Sequence, residues 1–64
     1  MYEKLRELRK EKGKTVKEVA AEINLTPSAY SNYEQGIRQP SYDIIKKLCK
    51  YYDVTSDYLL GIED

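Results

Sequence analysis

Ser28, Ser31 and Asn32 fall within LTPSAYSNYEQG, Leu25 to Gly36, a stretch with a helix-start signal, a helix-stop signal and little apolar material between them. On a helix these three side chains lie away from Tyr30 and Tyr33, which recur at i, i+3 and face inward together. Hydroxyls and an amide on one face can donate and accept hydrogen bonds, which is the chemistry of recognition. Material for catalysis is thinner. The chain has no histidine, so its single cysteine, Cys49, lacks a partner that would activate it as a nucleophile. One cysteine can close no internal disulfide, and without histidine it cannot build the usual zinc cage. Cys49 is expected to be buried and inert, packing as a small hydrophobe. Glu7 and Glu11 sit beside Lys4 and Lys10 at helical spacing, a solvated face rather than an acid–base pair. No catalytic residue, metal or cofactor is expected.

The elements that hold this segment are all helical. Leu5 and Leu8, with Tyr2 one turn earlier, recur at three-residue spacing on a first helix that Gly13 stops. Thr15-Val16-Lys17-Glu18 is a capping box, in which the threonine hydroxyl accepts from the third helical N–H while the glutamate reaches back. Val16, Val19, Ala20 and Ile23 then form an apolar stripe at i, i+3, i+4 and i+7 on a second helix, and Asn24, which tolerates positive φ, ends it. Only Leu25 intervenes before Thr26 serves as N-cap and Pro27 takes the first position of a third helix, closed by Gly36. Pro40-Ser41 starts a fourth, with Ile45, Leu48, Cys49 and Tyr52 as its buried stripe and Ile44 beside it. Asp53-Val54-Thr55 turns the chain into a short fifth helix from Ser56 to about Leu60, ended by Gly61. No alternating strand pattern, repeat or linker is present, so residues 1–64 are expected to form one all-α domain of five helices.

A chain of 64 residues buries only about 60% of its unfolded surface, leaving little room for a broad catalytic cleft. With 34% charged and 41% hydrophobic residues it has the composition of a soluble globular protein. No apolar run approaches the roughly 20 residues of a membrane span, and charges interrupt any signal-peptide pattern in residues 1–11, so a cytoplasmic location is expected. The formal net charge is zero, but it is unevenly distributed. Residues 1–17 carry seven Lys or Arg and three Glu, for a net +4; residues 18–37 carry −3, and residues 38–64 carry −1.

Two helices across a tight turn, the second short and polar, fit the helix-turn-helix rule, in which one helix braces on the backbone and the other enters the major groove. From Leu5 to Gly61 the sequence resembles the XRE-type regulators, the family of the phage lambda and 434 repressors and Cro. The resemblance lies in LRELRKEKG, in Ala20 as the small residue at the crossing of the two motif helices, and in Asn24-Leu25-Thr26 for the usual Gly-Val-Ser turn. YSNYEQGIRQPS and DVTSDYLLG match the family's later pattern. It implies a five-helix lambda-repressor-like DNA-binding domain whose helices 2 and 3 are the motif. Thr26 to Gln35 would be the recognition helix, with Pro27, Ser28 and Asn32 pointing into the groove and Ser31 close enough to touch a base or phosphate. Asn32 is the best reader, since its amide can pair bidentately with adenine N6 and N7. Phosphate contacts are expected from Lys14 and Lys17 at the start of helix 2, where the helix dipole also favours an anion, from Thr26, and from Arg38 in the following loop. Tyr30, Tyr33 and Tyr52 fall on buried positions usually held by Ile or Leu.

Glu34, near a helix C-terminus where the dipole disfavours an anion, should need a cation, and Arg9 occupies the family position that pairs with it. Three departures stand out: relatives often have glutamine at Val16, a basic residue at Ile37 and an apolar one at Lys14. Fewer anchors and zero net charge imply weak binding by a lone monomer. The expectation is therefore a sequence-specific regulator of double-stranded DNA, a repressor acting as a homodimer on a palindromic operator. Tyr58, Leu60 and Ile62 are the candidate dimer contact, with Leu59 in the core. The rival is an interaction module of the same fold that binds DNA weakly and holds a protein partner, such as a toxin or an anti-repressor. Many relatives continue into a second domain beyond the Leu-Leu-Gly ending.

Overall fold

The computed structural model describes residues 2–61. These residues form five helices: α1 (Tyr2–Lys12), α2 (Val16–Glu22), α3 (Pro27–Gln35), α4 (Tyr42–Tyr52) and α5 (Ser56–Leu60). Among the described residues there is no strand.

Local hydrogen bonding sets the boundaries. Thr15, Thr26, Ser41 and Thr55 each stand in extended conformation at an N-cap, with a side-chain oxygen accepting from the backbone N–H three residues on. The capping box at α2 is complete: the Glu18 N–H donates to Thr15 Oγ1 at 3.1 Å and the Thr15 N–H donates to Glu18 Oε1 at 2.9 Å. These bonds favour the ionised carboxylate and hold Glu18 below the usual glutamate pKa.

Each helix leaves through a residue at positive φ: Gly13, Asn24, Gly36, Asp53 and Gly61. At Asn24 this produces the tight turn of the motif. The Asn24 N–H reaches back to the Ala21 carbonyl at 3.3 Å and the Leu25 N–H to the Ala20 carbonyl at 2.8 Å, a Schellman arrangement that reverses the chain within two residues. Thr26 can therefore start α3 at once.

The core draws on every helix. Leu5 and Leu8 of α1, Val19 and Ala20 of α2, Ile23 at its exit, Tyr30 of α3, Leu48 and Tyr52 of α4 and Leu59 of α5 are buried together. Ala20 is fully buried, as a small residue at a close helix crossing requires. α3 packs against both α1 and α2, and α4 carries α5. Three expected core positions need correcting at the rim. Cys49 is half-buried rather than buried, and Ile45 and Tyr33 likewise pack on the edge of the core. The five short helices enclose Leu48 and Tyr52 but leave the flanking positions of the same stripe partly open. Partial burial still raises the Cys49 thiol pKa, which keeps the unreactive protonated form. The Tyr2 side chain and all of Ile62 lie outside the described residues.

Candidate nucleic-acid interface

The buried side of α3 is held by two polar contacts. Arg9 of α1 meets Glu34 in a two-pronged pair, Nε to Oε2 at 2.6 Å and Nη2 to Oε1 at 3.1 Å. Its remaining nitrogen, Nη1, donates to the Lys14 carbonyl at 3.0 Å, so one side chain ties α1, α3 and the turn before α2 together. Glu34 is 5% exposed and Arg9 17% exposed, so the pair is shielded from solvent. The bond to Glu34 raises the guanidinium pKa further still. A turn earlier on α3, the Tyr30 hydroxyl lies 2.6 Å from the Tyr52 hydroxyl of α4 inside the core. Burial, that hydrogen bond and the nearby Glu34 carboxylate push the Tyr30 pKa well above the usual tyrosine range.

Sequence reasoning assigned Tyr30 and Tyr52 to the core but missed their mutual bond, because nothing in a linear pattern pairs hydroxyls 22 residues apart. It also missed Tyr51 of α4, which donates to Glu22 at the end of α2 while the Lys12 ammonium lies 4.8 Å from its ring centroid.

The opposite side of α3 faces outward. Pro27, Ser28 and Gln35 are exposed, and Ser31 and Asn32 are half-buried along the same surface. Ser31 Oγ accepts from Gln35 Nε2 at 2.7 Å. The Asn32 carbonyl accepts the N–H groups of Ile37 at 3.0 Å and Arg38 at 3.4 Å, which sets the path of the loop leaving α3.

The phosphate candidates are distributed around this surface. Lys17 and Arg38 are exposed, and Lys14 is half-buried, with its carbonyl held by Arg9. Thr26 is exposed, and its oxygen already accepts from the Ala29 N–H at 3.1 Å, leaving its own proton to donate. α2 is only seven residues long, and Glu18 brings its own carboxylate to that N-terminus. Attraction for an outside anion there falls to the Lys14 and Lys17 side chains rather than to the helix end.

Two of the departures from the family pattern, Val16 and Ile37, stand in opposite surroundings. Val16 packs against the core, so the position trades a polar contact for apolar burial. Ile37 is 65% exposed in the loop beside Arg38. On α5, Leu59 is fully buried while Tyr58 and Leu60 are 39% and 41% exposed. The Lys4 ammonium lies 4.3 Å from the Tyr58 ring centroid, bridging α1 to α5. Among the described residues no group of His, Cys, Asp or Glu could hold a metal ion, and no helix is long and apolar enough to cross a membrane.

Known proteins share this pattern. The chain is 41% identical over 61 residues to the HTH-type transcriptional regulator ImmR of Bacillus subtilis, covering 95% of this chain and 48% of that protein. It is 37% identical over 51 residues to the cryptic phage CTXphi transcriptional repressor RstR of Vibrio cholerae, covering 80% of this chain and 46% of that protein. A third relative, the HTH-type transcriptional activator BcrR of Enterococcus faecalis, is 34% identical over 62 residues, 97% of this chain and 30% of that protein. The chain thus spans about half or less of the length of these three relatives, each of which is named a regulator rather than an enzyme. No solved structure matches it closely enough to count as a relative. Because the helix-turn-helix family matches residues 5–59, from the first buried leucine of α1 to the buried leucine of α5, the chain belongs to the XRE-type helix-turn-helix family.

Proposed function

We propose that this chain is a sequence-specific double-stranded DNA-binding domain of a transcriptional regulator. The observation that carries the reading is the two-sidedness of α3. Its inner face is fixed by the Arg9–Glu34 and Tyr30–Tyr52 pairs, and its outer face presents Pro27, Ser28, Ser31 and Asn32. A helix locked at two points on one side offers a rigid array on the other, which suits reading of base edges. Asn32 pairs with adenine, Ser28 and Ser31 bond to neighbouring edges or phosphates, and Pro27 packs against a thymine methyl. Lys14, Lys17, Thr26 and Arg38 hold the phosphates and set the register.

The regulator works as a repressor, by occupying an operator and excluding polymerase; occupancy alone suffices and needs no catalytic group. Nine residues of α3 extend about 13 Å, enough for roughly four base pairs, too few to single out one genomic site. The operator is therefore palindromic and bound by a dimer. Selection of bound duplexes from a random-sequence pool tests the reading. Enrichment of a palindrome supports it. No enrichment, with a protein partner recovered instead, decides for a protein-binding module, the reading that Val16, Pro27 and the zero net charge favour.

A further inference from the structure

On the outward face of α3, the side chain of Gln35 reaches back one turn and donates from Nε2 to Ser31 Oγ at 2.7 Å. We propose that Gln35 is a specificity-determining residue that fixes the hydrogen-bond polarity with which Ser31 meets DNA. The proposal rests on the DNA-reading function above and adds to it a residue with no other assigned part in recognition.

A free serine hydroxyl has one proton to donate and two lone pairs to accept with, and it rotates to suit either partner. For this reason serine reads bases promiscuously. At Ser31 one lone pair is already taken by the Gln35 amide, which fixes the rotor's preferred arrangement. The proton is left directed away from Gln35, so Ser31 presents itself outward as a donor. Residues four apart on a helix are neighbours along its surface, so exposed Gln35 reaches half-buried Ser31 from the next turn of α3 without disturbing the core.

A donor at this point favours bases that show acceptors in the major groove. Guanine offers two, N7 and O6, whereas cytosine offers only the N4 amino donor. On the strand that Ser31 faces, guanine is therefore preferred to cytosine at one position, by roughly three- to tenfold for one well-formed hydrogen bond. The competing destination for the Ser31 proton is the Pro27 carbonyl one turn back, which would remove the hydroxyl from readout altogether.

The experiment is selection of duplexes from a random pool by the whole chain, comparing wild type, Gln35→Ala, Gln35→Glu and Ser31→Ala, each checked for helical content. Gln35→Ala frees the rotor and flattens the guanine-to-cytosine ratio at that one position. Gln35→Glu can only accept, so it takes the Ser31 proton, turns outward-facing lone pairs to the groove and inverts the ratio. Its added negative charge also weakens binding to every sequence alike, a uniform loss separable from a change at one position. In a Ser31→Ala background, neither Gln35 change moves the profile. An unchanged profile in Gln35→Ala and Gln35→Glu, with wild type still enriching a site, overturns the proposal while leaving the DNA-reading function intact. So does a shift that persists without Ser31, which would make Gln35 itself the reader. If wild type enriches no sequence, both the function and this refinement of it fall.

Discussion

At the scale of single residues, Asn32 and Lys17 stand for two kinds of contact that one measurement separates. The Asn32 amide offers a donor and an acceptor side by side, matching adenine, so Asn32→Ala is expected to cost about 1 to 3 kcal/mol on the preferred site and to relax preference at one base pair. Equal loss on every sequence would refute a reading role. Lys17 is exposed, and the helix end beside it is already occupied by Glu18. Lys17→Ala is therefore expected to weaken binding almost uniformly and to lower the slope of log affinity against log salt by about 1. An unchanged slope would make Lys17 an ordinary surface charge.

At the scale of elements, α3 depends on polar contacts buried behind it. Arg9→Ala removes the partner of a nearly enclosed carboxylate at a helix C-terminus and is expected to destabilise the fold by about 3 kcal/mol, far more than loss of an exposed charge. Adding Glu34→Gln should restore part of the loss, and a melting temperature equal to wild type in the single variant would show that the pair contributes nothing. The tyrosines give an independent check through pH. Burial raises the pKa of Tyr30 and Tyr52, and burial together with Glu22 pushes Tyr51 up to about 12. Folded values above an unfolded value of about 10 mean that this stabilisation is complete below pH 10 and is lost as pH rises toward 12. Tyrosinate absorbance should thus rise in two stages, the second coinciding with loss of helical signal. A single stage near pH 10 with the helices intact would refute the coupling.

Much of this architecture is legible in the chain because its signals are local. Thr15 and Glu18 are three residues apart, Thr26 directly precedes Pro27, and Asn24, Gly36 and Gly61 each follow the last apolar residue or turn of a helix. Capping and periodicity need no tertiary knowledge, so all five helices can be read from them. Glu34 signals a need for a cation through its place on the dipole, but only the family resemblance points to Arg9, 25 residues away. The Tyr30–Tyr52 bond and the Tyr51–Glu22 contact are fixed by how α4 packs across α2 and α3, and aromatic spacing alone reads simply as core. Half-buried Cys49 shows the same limit: periodicity tells which face of α4 turns inward, not how far its neighbours cover the edge of that face.

At the scale of the whole molecule, the question is how so small a reader acquires specificity. One recognition helix with three or four short polar readers covers only a few base pairs, so the proposed function requires a second copy. A two-fold dimer places two such helices about one helical turn apart, roughly 34 Å between centres, and matches a palindromic operator. One apolar surface available for that contact is at the C-terminal end, apart from the more exposed but isolated Ile37 and Tyr42. Leu59 is committed to the core at 0% exposure, while Leu60 and Tyr58 remain 41% and 39% exposed, and Ile62 follows beyond the described residues. Tyr58 is already partly engaged, with the Lys4 ammonium over one side of its ring, so Leu60 and Ile62 are the stronger candidates to meet their own copies across a symmetry axis. Ile62→Asp leaves every residue of the buried set from Leu5 to Leu59 in place, and is expected to abolish cooperative binding and halve the protein bound per operator in a chain that keeps its helical content. Sedimentation with and without operator DNA measures this. One protein per site for wild type, or unchanged stoichiometry and cooperativity in a folded Ile62→Asp variant, would remove this patch as the dimer contact and leave the specificity to be supplied by chain outside these residues.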